Sequence, residues 1–229
     1  LQDIDGSTAL MEAADAGHKA CVQALLRAKA NAELLDNNGR AALQRAELKG
    51  HSSIAELLRQ HTAPPPPAAA APAAPPDAGK PAESAPASLP LEIFESAVRG
   101  ELQKVVKWLH KGGEVDALGS AMSVDGRPIT TTLLLGAAAS GHLALVRELM
   151  KRGASVDLPN SFGVTALKQA AHYGHLSIVL VLLQHSAYPD LQSNLGLTAL
   201  MDAADYGHEA CVKAPLRAKA NTELLDNNG

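Results

Sequence analysis

The dipeptide Gly-His recurs at a fixed interval. The step from Gly17-His18 to Gly50-His51 is repeated from Gly141-His142 to Gly174-His175, and again from there to Gly207-His208. A period of this kind, a few tens of positions long, restricts a chain to architectures that stack one supersecondary unit many times. Other positions hold the same phase. Gly6, Gly39, Gly163 and Gly196 each lie eleven residues before a Gly-His, and Thr8, Thr165 and Thr198 follow such a glycine by two. Alanine pairs stand at 13–14, 137–138, 170–171 and 203–204. After the dipeptide comes an apolar pattern such as Val22, Leu25, Leu26 or Ile178, Leu182, Leu183.

Local physics explains the unit. Residues 8–15 and 19–28 have helical periodicity but are too short to persist alone in water. Thr8 is placed to cap the first helix, Gly17 suits a reversal with positive φ, and Ala13 and Ala14 permit close helix approach. Asp36-Asn37-Asn38-Gly39 carries the signature of a tight hairpin turn. A single unit cannot cover its apolar face, so units must stack. Six are counted: 5–37, 38–61, 89–117, 126–158, 162–190 and 195–227, with Asn228-Gly229 reading as the opening of a seventh. The third is degenerate, with Gly100-Glu101 in place of Gly-His and Leu91, Ile93 and Phe94 at its start, and the fourth has extra residues before its first helix.

This pattern resembles the ankyrin repeat over nearly everything outside one Pro/Ala stretch. The family's Thr-Pro-Leu-His tetrapeptide is never complete; the first unit has Thr8-Ala9-Leu10-Met11 and the fifth Thr165-Ala166-Leu167-Lys168, so that histidine's hydrogen bond is lost. The resemblance implies an all-α solenoid of helix-turn-helix repeats with hairpin fingers, in which the Gly-His histidines bridge neighbouring loops.

From Thr62 to Pro90 proline and alanine make up most of the chain, a composition that supports neither a ladder nor a long helix. It is expected to separate an array of two units (1–61) from one of four (91–229) as a spacer (62–90). Pro64–Pro67 and Pro72–Pro75 have P-x-x-P spacing, but no basic residue flanks them closely. Residues 1–39 and 191–229 agree at 29 of 39 positions, far more than neighbouring units do. A duplicated block is inferred, in a chain that is a window on a longer array whose continuation resembles Arg40–His61. Cys21 and Cys211 are equivalent positions in the duplicated units and read as small buried hydrophobes. Pro215 stands where the first unit has Leu25, in mid-helix; the helix is expected to kink there, or the sixth unit to be a weak edge.

The net charge of −4 argues against a polybasic nucleic-acid binder, and the absence of an 18-residue apolar run argues against membrane insertion. Two cysteines and no signal peptide read as intracellular and cytoplasmic. Nine histidines invite a metal reading, but the best pair, His172 and His175, lacks a third ligand. No nucleophile elbow, phosphate loop or His-Glu-x-x-His occurs, so no catalytic residue, cofactor, metal or small-molecule substrate is expected.

Binding remains. By resemblance, fingertips and the exposed ends of first helices hold protein partners. The two residues before each Gly-His form a column that places His172-Tyr173 beside Asp205-Tyr206, and the fingertips add Asn160, Ser161, Phe162, Ser193, Asn194 and Leu195. Two tyrosines on one ladder, among six aromatics, make a candidate contact surface; a plain cover over the helix turn is the alternative. The insertion 118–129 reads either as a contact loop or as a spacer. The expected molecule is a monomeric, non-catalytic scaffold for a protein partner. The alternatives are a regulatory or targeting segment of a larger enzyme or channel, and a structural spring.

Overall fold

The computed structural model describes residues 6–61, 88–122, 126 and 128–226. The two P-x-x-P segments, the rest of 62–87 and Asn228-Gly229 lie outside the described residues. Six helix pairs correspond to the six units. They are α1 (Ala9–Asp15) with α2 (Lys19–Arg27), α3 (Ala42–Leu48) with α4 (Ser52–Arg59), and α5 (Leu91–Val98) with α6 (Leu102–His110). After a hairpin of β1 (Gly119–Met122) and β2 (Pro128–Thr131) come α7 (Leu133–Ala139) with α8 (Leu143–Lys151), α9 (Ala166–His172) with α10 (Leu176–Gln184), and α11 (Ala199–Asp205) with α12 (Glu209–Arg217).

Four of the six first helices start where a threonine side chain can serve their free N–H groups, while α3 and α5 start at Ala41 and Pro90 without one. Thr8, Thr132, Thr165 and Thr198 accept from the backbone N–H of Met11, Leu135, Lys168 and Met201 at 3.2–3.3 Å. Lys29, Ser186 and Lys219, just past α2, α10 and α12, adopt positive φ of 63–66°, a conformation that Gly112 and Gly153 supply more easily after α6 and α8. The layers are thin and alanine-lined; Ala13, Ala14, Ala137, Ala138, Ala170, Ala171, Ala203 and Ala204 are all fully buried. Unit three, whose sequence is the least regular, compensates with Phe94. A Cβ on Gly136 of α7 would lie 2.8 Å from the Phe94 ring, so only glycine admits this packing.

The stacking order departs from the order of the chain. First helices pack α5–α7–α9–α11–α1–α3, and α10–α12–α2–α4 follow behind them. Units one and two therefore continue the series begun by three to six, where the sequence alone suggested two separate arrays. The physical reason is that unit one is nearly a copy of unit six, so its stacking face is one that a repeat of this series accepts, and leaving two such faces bare is costly. Pro215 sits in this interior; α12 runs through it without a break and packs on both α10 and α2, so unit six is not the edge expected.

The fingers are tight turns. Asp36 N–H donates to Arg40 O at 2.9 Å and Arg40 N–H to Asp36 Oδ1 at 2.8 Å. Between units six and one the same two bonds form from distant stretches: Asp226 N–H to Ser7 O at 3.3 Å and Ser7 N–H to Asp226 Oδ1 at 3.2 Å. Near residues 118–129 the flanks pair as an antiparallel hairpin, Gly119 opposite Thr131 and Met122 opposite Pro128, while 123–125 and 127 lie outside the described residues. Ser88 bridges to Leu118, Leu89 is buried and Pro90 caps α5, so the first unit after the Pro/Ala stretch begins at 88.

Candidate protein-interaction surface

The Gly-His dipeptide forms a ladder. His51 Nε2 lies 3.0 Å from Asp15 O, His142 Nε2 2.7 Å from Val98 O, His175 Nε2 3.1 Å from Ala139 O and His208 Nε2 3.0 Å from His172 O. Each imidazole thus holds the last turn of the preceding unit's first helix, or its cap. Each also covers the preceding Gly so closely that a Cβ would collide; a Cβ on Gly174 would come 2.7 Å from His208. The ladder crosses the unit six to unit one junction, because His18 covers Gly207 in the same way.

This ladder positions the column of residues before each Gly-His. His172 ends α9, and Tyr173 and Tyr206 are the C-caps of α9 and α11. The His172 ring lies 4.1 Å from that of Tyr206 and 4.6 Å, edge-on, from that of Tyr173. Two units therefore build one aromatic cluster. Its tyrosines are 47% and 51% exposed, which is large for rings in a chain with so few. Burial, with Asp205 and Asp202 nearby, pushes the Tyr206 phenol up, keeping it a neutral hydrogen-bond donor. Asp205 itself is exposed, and its carboxyl is raised by partial burial and by Asp202. Asp202 accepts from Lys168 Nζ and lies 3.9 Å from His172 Nδ1, an ion pair whenever that imidazole is protonated.

The fingertip candidates divide. Asn160 and Ser193 are buried, and Asn160 Oδ1 accepts from the N–H of Phe162 and Val164 at 2.9 and 3.0 Å. They shape the fingers and present no polar face outward. Ser161, Asn194 and Leu195 are exposed and Phe162 is half-buried. The fingers are tied in series: Thr130 N–H donates to Ser161 Oγ, Asn194 Nδ2 to Ser161 O and Asn194 N–H to Phe162 O. Stacking also extends the surface to residues that the sequence could not order. Ala16 and Lys49 follow Tyr206 along the column, and Asp15 and the exposed Leu48 follow Asp205.

His175 spends its Nε2 on Ala139 O, and among the described residues no group of three or more His, Cys, Asp or Glu is placed to hold a metal ion. Burial pushes the Cys21 thiol up to about 11 and raises that of Cys211, disfavouring the thiolate. Among the described residues no helix is long and apolar enough to cross a membrane.

A family model described as ankyrin repeats (3 copies) matches residues 1–66, 94–193 and 133–228. A search of curated proteins returned no match. Ankyrin repeats are generally protein–protein interaction modules and generally non-catalytic. With the period, the caps and the histidine ladder carried by the described units, and the family model spanning most of the sequence, the chain belongs to the ankyrin-repeat family.

Proposed function

We propose that this chain is a non-catalytic scaffold that holds a protein partner against the rim and concave helix face of units five and six. The observation that carries this reading is the exposed cluster of Tyr173, Tyr206 and His172 built across two repeats. Tyrosine gives large contact area at low entropic cost, and rings beside Asp205 suit a partner segment carrying a cationic or apolar anchor. Ser161, Phe162, Asn194 and Leu195 extend the contact along the fingertips, while Asn160 and Ser193 hold the fingers in shape. The test is capture of a partner from cell lysate by the tagged chain and by its Tyr173→Ala/Tyr206→Ala variant. Capture is expected to vanish in the variant while its helical circular dichroism is unchanged; capture by the variant at the parent level overturns the assignment of this surface.

A further inference from the structure

At two junctions of the stack a cation of one unit sits on carboxylates of its neighbour. Units one and two meet through Arg45, whose guanidinium donates to Ser7 Oγ and lies 3.4, 3.7 and 3.9 Å from Asp15, Glu12 and Asp36. Units five and six meet through Lys168 on Asp202. At the junction of six and one both cations are replaced. The position of Arg45 is taken by Glu12, one period earlier, and that of Lys168 by Met201, one period later. Glu12 and Asp15 of unit one and Asp202 and Asp205 of unit six therefore bring four carboxylates to one seam, with Arg45, Lys168 and His172 reaching them from its sides and His18, over Gly207, acting on Asp205 from within it.

The seam is also built from segments far apart in the chain. Its finger is closed by Asp226 and Ser7, 219 residues apart, where other fingers are continuous backbone. Units one and two are tied to the rest covalently through the 27 peptide steps from His61 to Ser88, at the opposite ends of the series. The five spacings between six helix layers span about 50 Å, and a tether of that many steps reaches at most about 90 Å. The tether therefore permits closure within a chain, and it equally permits units one and two to be handed to another stack.

We propose that the seam between units six and one is an exchangeable interface whose alternative occupant is a second copy of this chain, units one and two of each copy stacking on unit six of the other. Every contact of the closed monomer is preserved in the exchanged dimer, so the two forms differ in tethering and concentration, and the strength of the seam sets the rate of exchange. The monomer expected from the sequence is then the dilute form.

The experiment mixes affinity-tagged and untagged full-length chains at high concentration at neutral pH and follows mass by light scattering after gel filtration. A species of twice 23.7 kDa that carries both forms is expected, its share growing with the incubation concentration. Met201→Lys, which places a cation opposite Glu12 as Lys168 stands opposite Asp202, should slow exchange about fivefold and leave the equilibrium share of dimer unchanged. Ser7→Cys with Asp226→Cys, in a Cys21→Ala/Cys211→Ala background, should give an intrachain disulfide in the monomer fraction and an interchain disulfide in the dimer fraction. Failure to find mixed species at any concentration overturns the proposal, and so does an intrachain disulfide in the dimer fraction.

Discussion

Units one and six are near-copies, yet they are held differently. Glu12 and Asp15 of unit one are served from unit two by Arg45 and Lys49, whereas Asp202 of unit six is served from unit five by Lys168. The same face is thus satisfied once from the far side and once from the near side. Where the first helices of the copies meet each other, neither brings a lysine or arginine. In a repeat protein the stability of a face is a property of a pair of units, so identical sequence does not give identical energetics.

The largest test of this comparison removes the cation. The Arg45 side chain is 8% exposed, so Arg45→Met should cost about 2–3 kcal/mol in urea unfolding by taking the cation from Glu12 and leaving Asp15 and Asp36 to Lys49 and Arg40 alone. Lys168→Met, which takes the cation from Asp202 of the other copy, should cost a similar amount; a loss confined to one of the two would break this symmetry. Next comes the helix core, where Leu25 of unit one and Pro215 of unit six are both buried. Pro215→Leu restores a helical hydrogen bond and should stabilise by about 1–3 kcal/mol, visible as a higher Tm. An unchanged Tm would show that α12 already accommodates the ring.

The seam should respond to pH. Burial raises the carboxyls of Glu12 and Asp205; Asp15 adds to both, Asp205 adds to Glu12 and Asp202 to Asp205, while Arg45 and Ser7 oppose at Glu12 and His18 and His172 at Asp205. Both groups bind protons more tightly folded than unfolded, so their contribution is complete below the ordinary carboxylate value and is lost as pH rises through the raised values. Glu92 and Glu101 are lowered by Lys104 and Arg99 and pull the opposite way. The readout is therefore the difference between parent and Asp205→Asn, which should gain about 0.5 kcal/mol at neutral pH and none in acid. The smallest effect concerns both copies equally. Lys29→Gly and Lys219→Gly relieve positive φ and should each stabilise by about 0.5 kcal/mol; unequal gains would show that the copies differ at these turns.

Much of the fold was legible because its signals are local. Thr8, Thr165 and Thr198 announce helix starts, and the Gly-His dipeptide announces the reversal between helices. Thr132 escaped because the insertion before it breaks the phase with the preceding glycine. The hairpin at 119–131 was hidden for the same reason, its pairing depending on strands rather than on the period. Tyr173 and Tyr206 were legible as a column, since equal phase places residues on one ladder. His172 joining them as a third ring was not, because that depends on rotamers set by packing between units.

The sequence by itself determined the unit, its helices and its ladder, because capping, chain reversal and apolar periodicity act within a few tens of residues. The tertiary structure decided the order of the units, the burial of Asn160 and Ser193 in their turns, and the acidic seam. These depend on which faces meet, and near-identical units leave that choice to the covalent tether and to the faces that remain uncovered.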